Sequence, residues 1–195
     1  MSKSNKIVCL QVPPGYQEGD YVGKLFRGLS RNTSVPFEFE CVTASKYPGW
    51  WGKLEVFDPP ERVIFLDLDT VITGNVDFLF EYNGPFAILR DFGTPRGDNY
   101  GSAVMSISAG YGKQVIEGFK TDADSIMKRL YGDGNWIRES APGADFWQDI
   151  YPGKIKSFKV DDLENGPKGA SIVCYHGSPR PHEMTHLGWM REFWK

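Results

Sequence analysis

Short apolar runs and amphipathic segments follow one another along the chain and predict an α/β fold. Runs typical of strands occur at residues 6–12, 36–42, 63–69, 86–91, 101–107, 155–160 and 171–175. Apolar residues recur at helical spacing over 21–29 and most of 111–130, and residues 47–57 predict a turn leading into a helix. Strands that alternate with helices indicate a mostly parallel central sheet flanked by helices.

Two connections between these segments have a distinctive composition. Pro13, Pro14 and Gly15 predict the end of the first strand. Residues 131–152 are rich in Gly, Trp and Asp and predict a long irregular loop, which inside a compact domain is more often functional than idle. Because no repeat, linker or low-complexity tract interrupts the pattern, we expect one domain over residues 1–195.

The strand predicted at 63–69 ends in two acidic residues. Because side chains alternate along a strand, Asp67 and Asp69 are expected on one side and Leu68 on the other. Two adjacent buried carboxylates repel each other and lose solvation unless a cation lies between them. Ligands of open α/β sheets bind at the carboxyl ends of strands. The pattern therefore indicates a divalent metal ion holding a phosphorylated ligand, although Asp69 could instead cap a turn.

Composition narrows the class of protein. The net charge of −3 and the 41% hydrophobic content are ordinary for a globular protein, with no broad basic field typical of nucleic-acid binding. No apolar stretch is long enough to span a membrane, and residues 2–5 do not resemble a signal peptide. Three cysteines, Cys9, Cys41 and Cys174, lie in strand-like runs without metal-type spacing. They predict free thiols and a cytoplasmic location.

A second candidate site follows the strand predicted at 171–175. His176 can bind a metal, Gly177 allows a close backbone approach, and Arg180 can hold a phosphate through two hydrogen bonds. Two carboxylates and one imidazole suit Mn²⁺, with Mg²⁺ as a poorer match. Lys53 could face a diphosphate, or could be a solvated lysine beside a core tryptophan.

Three segments, 48–55, 65–74 and 176–181, together resemble small bacterial and phage glycosyltransferases of the GT-A fold, similar to glycosyltransferase family 8. The resemblance implies a nucleotide-diphospho-sugar transferase that uses a nucleotide sugar, with UDP as the expected nucleotide. The metal ligands that it implies are Asp67, Asp69 and His176. The nucleotide-sugar contacts that it implies are Lys53, Asp67, Asn99, Gly177 and Arg180. The two acids that it places near the reaction are Asp91 and Asp133.

One position departs from the family pattern. Relatives carry Gly-Asp-Gln before a tryptophan, whereas this chain has Gly132, Asp133, Gly134 and Asn135 before Trp136. In relatives the amide is thought to lie close to the reacting sugar carbon. The family resemblance favours retention of configuration at that carbon, and the sequence itself does not decide it.

The expected acceptor is a saccharide, and three other interpretations stay open. A hydroxylated base in phage DNA is the runner-up, because four lysines could form a local basic patch: Lys154, Lys156, Lys159 and Lys168. A non-catalytic binder of nucleotides or carbohydrates could use the same scaffold. His182, Glu183 and His186 match a zinc-protease motif. Pro179 and Pro181 argue against the helix that this motif needs. The aromatic tail at 187–195 is expected to dock on the domain, and the oligomeric state is left open.

Overall fold

The computed structural model describes residues 5–13, 16, 19–94 and 97–195. Pro14 and Gly15, which belong to the predicted end of the first strand, lie outside the described residues, as do residues 2–4 of the N-terminal segment. In the described part of the chain the strands are β1 Lys6–Leu10, β2 Glu38–Val42, β3 Val63–Leu66, β4 Thr70–Ile72, β5 Phe86–Arg90, β6 Tyr100–Ile107, β7 Asp145–Phe146, β8 Ile155–Ser157 and β9 Ile172–Cys174.

The helices alternate with these strands for most of the chain. They are α1 Tyr21–Asn32, α2 Phe78–Glu81, α3 Lys113–Thr121, α4 Ala123–Arg129, α5 Asp133–Ser140, α6 Trp147–Ile150 and α7 Gly188–Phe193. Two segments, Gly49–Val56 and Pro181–Met184, form 3₁₀ helices. The predicted alternation of strands and helices is therefore confirmed.

The central sheet has the strand order β2-β1-β3-β6-β5-β7. β1 is parallel to both β2 and β3, and β7 is parallel to β5, whereas β6 runs antiparallel to its neighbours β3 and β5. A smaller sheet places β9 between an antiparallel β4 and a parallel β8. The predicted mostly parallel central sheet flanked by helices is confirmed, with β6 as its antiparallel strand.

Two apolar cores lie on the two faces of the central sheet. Successive side chains of a strand point to opposite faces, so Ile64 belongs to one core and Phe65 to the other. The first core contains the buried Trp147 of α6 and packs against the smaller sheet. The second contains Trp51 and Phe119, whose rings stack with centroids 5.4 Å apart. The sheet is thus covered on both sides, as a largely parallel sheet requires.

The acidic segment after β3 is a turn, and the expected strand over 63–69 is wrong beyond Leu66. The backbone N–H and the hydroxyl of Thr70 donate to the carbonyl oxygen of Asp67 at 3.1 and 2.7 Å. The chain then continues as β4 in the smaller sheet. Asp67 and Asp69 are therefore brought together by a turn between two sheets and not by alternation along one strand.

Two other expectations need correction. Residues 131–152 are not an irregular loop, because they contain α5, β7 and α6. The helical pattern over 111–130 divides at Asp122 into α3 and α4. Both errors come from short elements whose apolar contacts are distant in sequence, which local periodicity does not show.

The C-terminal tail docks on the domain, as predicted. Met190 and Trp194 are buried in the first core, and the Tyr175 hydroxyl lies 3.1 Å from the sulfur of Met190. Arg27 and Arg31 of α1 donate hydrogen bonds to carbonyl oxygens of the last residues of the tail. These contacts attach α7 to the outer face of α1.

Cys9, Cys41 and Cys174 are free and lie in β1, β2 and β9, which confirms the predicted unpaired thiols.

None of the helices in the described residues has the length and apolar character needed to cross a lipid bilayer.

Candidate active site

A buried ion pair lies at the carboxyl end of β3. Asp67 is fixed there by its N–H, which donates to the carbonyl oxygen of Ala103 at 2.8 Å. Lys53, from the first 3₁₀ helix, is 7% exposed and donates to Asp67 Oδ2 at 2.7 Å and to Ser102 Oγ at 3.1 Å. Burial lowers the pKa of Lys53, but the charges of Asp67 and Asp133 outweigh it, so that its pKa is raised overall. The two neighbouring carboxylates therefore favour the cationic form of Lys53.

Asp133 is a second acid beside this lysine. It is the first residue of α5, is 6% exposed, and places Oδ2 3.9 Å from the Lys53 ammonium. That oxygen is buried and accepts no hydrogen bond. An unpaired buried carboxylate oxygen is costly, so a donor from a ligand would be favoured here.

Asp69 is held by two residues from opposite ends of the chain. Its Oδ2 accepts a hydrogen bond from the Tyr16 hydroxyl at 2.7 Å and one from the guanidinium of Arg180. Arg180 also donates to the Tyr16 oxygen at 2.6 Å. Burial, followed by the charge of Asp67, raises the pKa of Asp69 to about 6. The ionised form of Asp69 therefore carries a free-energy cost near neutral pH. The positive charges of Arg180 and Lys53 offset part of that cost.

The acids outnumber the cations in this cluster. Three carboxylates (Asp67, Asp69 and Asp133) face two protein cations, Lys53 and Arg180. Burial also raises the pKa of Asp67, which shows that its environment disfavours the negative charge. An additional cation is therefore favoured electrostatically at this end of β3. We call these five residues the acidic cluster.

His176 has different partners from the acidic cluster. Its Nε2 lies 2.8 Å from Ser157 Oγ, and its ring stacks on Phe92 with centroids 5.7 Å apart. Burial and then the positive charge of Lys159 lower its pKa, which favours the neutral imidazole. Gly177 has φ +73°, and a Cβ placed on it would lie 3.5 Å from the Lys159 ammonium. The chain therefore brings Lys159 close to the backbone of Gly177.

Asp91 and Asn99 lie together in the connection between β5 and β6, of which residues 95–96 are not described. Asp91 accepts hydrogen bonds from Gly93 N–H at 3.3 Å and Thr94 Oγ1 at 3.1 Å. Asn99 donates to Thr94 Oγ1 at 3.1 Å and accepts from Arg138 at 2.6 Å. Both residues therefore shape their own loop, and the charge of Asp91 acts on the neighbouring His176.

The predicted metal ligands fit a divalent cation in their chemistry but not in their present arrangement. Asp67 and Asp69 offer the carboxylate oxygens that Mn²⁺ accepts. Their Oδ2 atoms are held by Lys53 and Arg180, while His176 faces Ser157. Within the ranges described, no three or more His, Cys, Asp or Glu side chains are arranged to hold a metal ion.

Four residues that sequence reasoning did not assign to the nucleotide-sugar site contact the predicted ones. They are Tyr16, Ser102, Ser157 and Lys159. Ser102 lies in β6, three residues after Asn99, and its hydroxyl could have been suspected from that position. The other three carry no local signal, because only the folded chain brings them to their partners.

The zinc-protease interpretation has no support in the geometry. His182 Nδ1 lies 2.6 Å from the Tyr21 hydroxyl, and His186 Nδ1 faces the carbonyl oxygen of Glu183 at 3.2 Å. The Glu183 carboxylate accepts the N–H of Arg180 at 2.5 Å. His182 thus contacts α1, while Glu183 and His186 make local contacts around a short 3₁₀ helix.

Two of the four lysines predicted to form a basic patch are tied to nearby backbone. Lys156 donates to the carbonyl oxygen of Lys168, and Lys168 donates to that of Asp161. These bonds hold β8 to the loop before β9. The DNA-base acceptor stays a prediction.

The fold is shared with solved glycosyltransferases. The glycosyltransferase GlyE of Streptococcus pneumoniae TIGR4 superposes on this chain with a TM-score of 0.64 at 15% sequence identity. The match covers 97% of this chain and 63% of GlyE, so this chain spans less than two thirds of that protein. The galactosyltransferase LgtC, in complex with donor and acceptor sugar analogs, superposes with a TM-score of 0.66 at 13% sequence identity. This match covers 95% of this chain and 93% of LgtC. A glycosyltransferase involved in the glycosylation of the major capsid of PBCV-1 superposes with a TM-score of 0.57 at 15% sequence identity. This match covers 93% of this chain and 98% of that protein.

No family model matches the chain, and no curated protein matches it. The structural similarity confirms the predicted GT-A-like fold. At these identities it shows the fold alone, and family 8 stays a prediction.

Gly134 explains the departure from the family pattern. A Cβ on Gly134 would lie 2.3 Å from the carbonyl oxygen of Tyr100. The first turn of α5 therefore packs directly on the backbone of β6, and no side chain fits at position 134. The amide cannot be restored by one substitution without moving α5.

Gly134→Ala should lower the free energy of unfolding by about 3 kcal/mol, since the added methyl meets rigid backbone. Urea denaturation followed by far-UV circular dichroism measures the loss. Gly188→Ala is the matched control, because a Cβ there meets nothing within 4 Å. Equal stability of the two variants would show that α5 does not pack on β6 as described.

Proposed function

We propose that this protein transfers a sugar from a nucleoside diphosphate sugar, with UDP as the nucleotide, to a hydroxyl group of a saccharide acceptor. The observation that carries the proposal is the acidic cluster at the carboxyl end of β3, where ligands of α/β sheets bind. Its location on a fold shared with glycosyltransferases supports the assignment. The similarity of fold alone would not give the activity.

The cations of the site suit a diphosphate. Arg180 is 38% exposed at its side chain, so its guanidinium can reach a ligand while it stays next to Asp69. Lys159 lies beside Gly177, whose lack of a Cβ leaves room for a phosphate near the backbone. Lys53 is buried and serves to hold Asp67 and Asp133 in place. A departing nucleoside diphosphate would be stabilised by these positive charges.

We further propose that Mn²⁺, or less favourably Mg²⁺, is required. Asp67 and Asp69 would hold it, with His176 as a third ligand after its ring leaves Ser157. A divalent ion supplies a Lewis acid that neutralises charge on the leaving diphosphate. The excess of acids over cations in the acidic cluster supports this part of the proposal.

Asp133 is the acid best placed to contact a sugar. Its Oδ2 accepts no hydrogen bond within the protein and can accept one from a sugar hydroxyl, while the Lys53 ammonium lies 3.9 Å away. Asp91 is the acid that we propose to lie near the donor sugar. The absence of a side chain at Gly134 leaves no amide at the family position. We propose retention of configuration at the sugar carbon by analogy with the family alone. The acceptor hydroxyl would then pass its proton to the leaving phosphate.

A panel of nucleotide sugars with Mn²⁺ tests the proposal through release of the nucleoside diphosphate. Asp69→Ala should reduce turnover by about a hundredfold or more, because it removes the carboxylate that positions Arg180. Asp124→Ala, which removes an exposed carboxylate from α4, is the matched control and should keep full turnover. Full turnover in Asp69→Ala would reject the site. Tight binding of a nucleotide sugar by the wild-type protein without turnover would indicate a non-catalytic binder.

Metal dependence has its own test. Enzyme treated with EDTA should bind UDP weakly in isothermal titration calorimetry, and added Mn²⁺ should tighten the dissociation constant by about tenfold or more. Mg²⁺ should act in the same direction with a smaller effect. Identical affinity with EDTA and with Mn²⁺ would reject the metal and would leave Arg180 and Lys159 as the cations that bind the diphosphate.

A further inference from the structure

Trp50 is a large aromatic residue that the core does not use. It is 54% exposed, whereas its neighbour Trp51 is 6% exposed and stacks on Phe119. The two adjacent tryptophans therefore have different roles. Trp51 fixes the first 3₁₀ helix to the core, and Trp50 leaves an aromatic ring accessible to a ligand.

The helix geometry places Trp50 next to the acidic cluster. A 3₁₀ helix has three residues per turn, so side chains at positions i and i+3 lie above one another. Trp50 therefore lies one turn above Lys53, the buried lysine that contacts Asp67 and Asp133. Trp50 and Lys53 therefore share one face of this helix, with the indole exposed and the ammonium buried.

A second element brings the same ring close to Asp133. A Cβ built on Gly132 would lie 3.8 Å from the indole nitrogen of Trp50, so the ring lies against the backbone that precedes Asp133. Tyr131, the residue before Gly132, is 95% exposed. Two exposed aromatic rings thus flank the start of α5, beside the carboxylate whose Oδ2 has no hydrogen-bond donor.

This combination suits a pyranose ring. A pyranose presents an apolar face of C–H groups and an edge of hydroxyl groups. Aromatic rings bind the apolar face, and a carboxylate accepts hydrogen bonds from the edge. Trp50 supplies an exposed ring, and Asp133 supplies a buried acceptor oxygen one residue after the backbone that the ring contacts.

We propose that Trp50, with Tyr131 beside it, forms a stacking platform for a pyranose ring of the acceptor saccharide and directs an acceptor hydroxyl towards Asp133. This inference rests on the proposed function. The acceptor is the favoured occupant because the donor diphosphate would bind at Asp69 and Arg180. The platform lies instead on the Asp133 side of Lys53, where a second substrate can enter from solvent.

Trp50→Ala tests the platform with two measurements. In the transfer assay the KM for the accepted saccharide should rise about tenfold, several times more than the KM for the nucleotide sugar, as expected for a lost aromatic stack. Trp50→Phe should recover most of the loss, because it keeps a ring. Phe26→Ala removes another exposed ring, 44% exposed on α1, and should change neither KM.

Saturation-transfer NMR with lactose, cellobiose and maltose supplies a readout that needs no turnover. Signals from a bound disaccharide should be present for the wild-type protein and for Phe26→Ala, and should be lost for Trp50→Ala. That binding pattern supports the platform even if no nucleotide sugar is turned over. Absence of turnover would reject only the proposed function. A disaccharide signal kept by Trp50→Ala, or absent from the wild type, overturns the platform. A rise in the donor KM alone also overturns it, because the ring would then stack on the nucleobase.

Discussion

The buried ion pair between Lys53 and Asp67 is the interaction on which the rest of the site depends. It joins the first 3₁₀ helix to the end of β3, and the bond from Lys53 to Ser102 extends the contact to β6. The nearby Asp133 brings the start of α5 to the same lysine. One ammonium group thus joins the helix that carries it to three other chain segments, the end of β3, β6 and the start of α5. A buried charge can be tolerated only with partners of this kind.

Asp69 completes the site through contacts that close the chain on itself. Tyr16 comes from near the N-terminus and Arg180 from near the C-terminus, and both bind the same carboxylate oxygen. The turn at Asp67 leads into β4 and places Asp69 between the central and the smaller sheet. The docked tail supports the arrangement, because Trp194 packs against Tyr21, whose hydroxyl binds His182. The diphosphate site that we propose is therefore built between two sheets and two chain ends.

Sequence patterns predicted the central sheet, and the family resemblance singled out the five residues that form the acidic cluster. Strands such as β1 and β3 are short apolar runs, which makes them visible in the sequence. Asp67, Lys53 and Arg180 were predicted as neighbours of one ligand, and the structure places all three in one cluster.

The sequence could not predict contacts that depend on the folded chain. Nothing local marks Tyr16 as a partner of Asp69, and the pairing of His176 with Ser157 depends on β8 and β9 lying side by side. The role of Gly134 is also invisible in the sequence, because it reflects contact with the Tyr100 backbone. Solvent exposure separates Trp50 from Trp51, which are identical in type and adjacent in sequence.

A double-mutant cycle on Lys53 and Asp67 tests most directly whether the buried ion pair organises the site. The free energy of unfolding is measured by urea denaturation for Lys53→Met, Asp67→Asn and the double variant. Each single substitution leaves a buried charge without its nearest partner of opposite charge and is expected to cost about 3 kcal/mol. The double variant should be at least about 2 kcal/mol more stable than the sum of the two losses implies. Strictly additive losses would contradict the account, because they would show that the two side chains do not depend on each other.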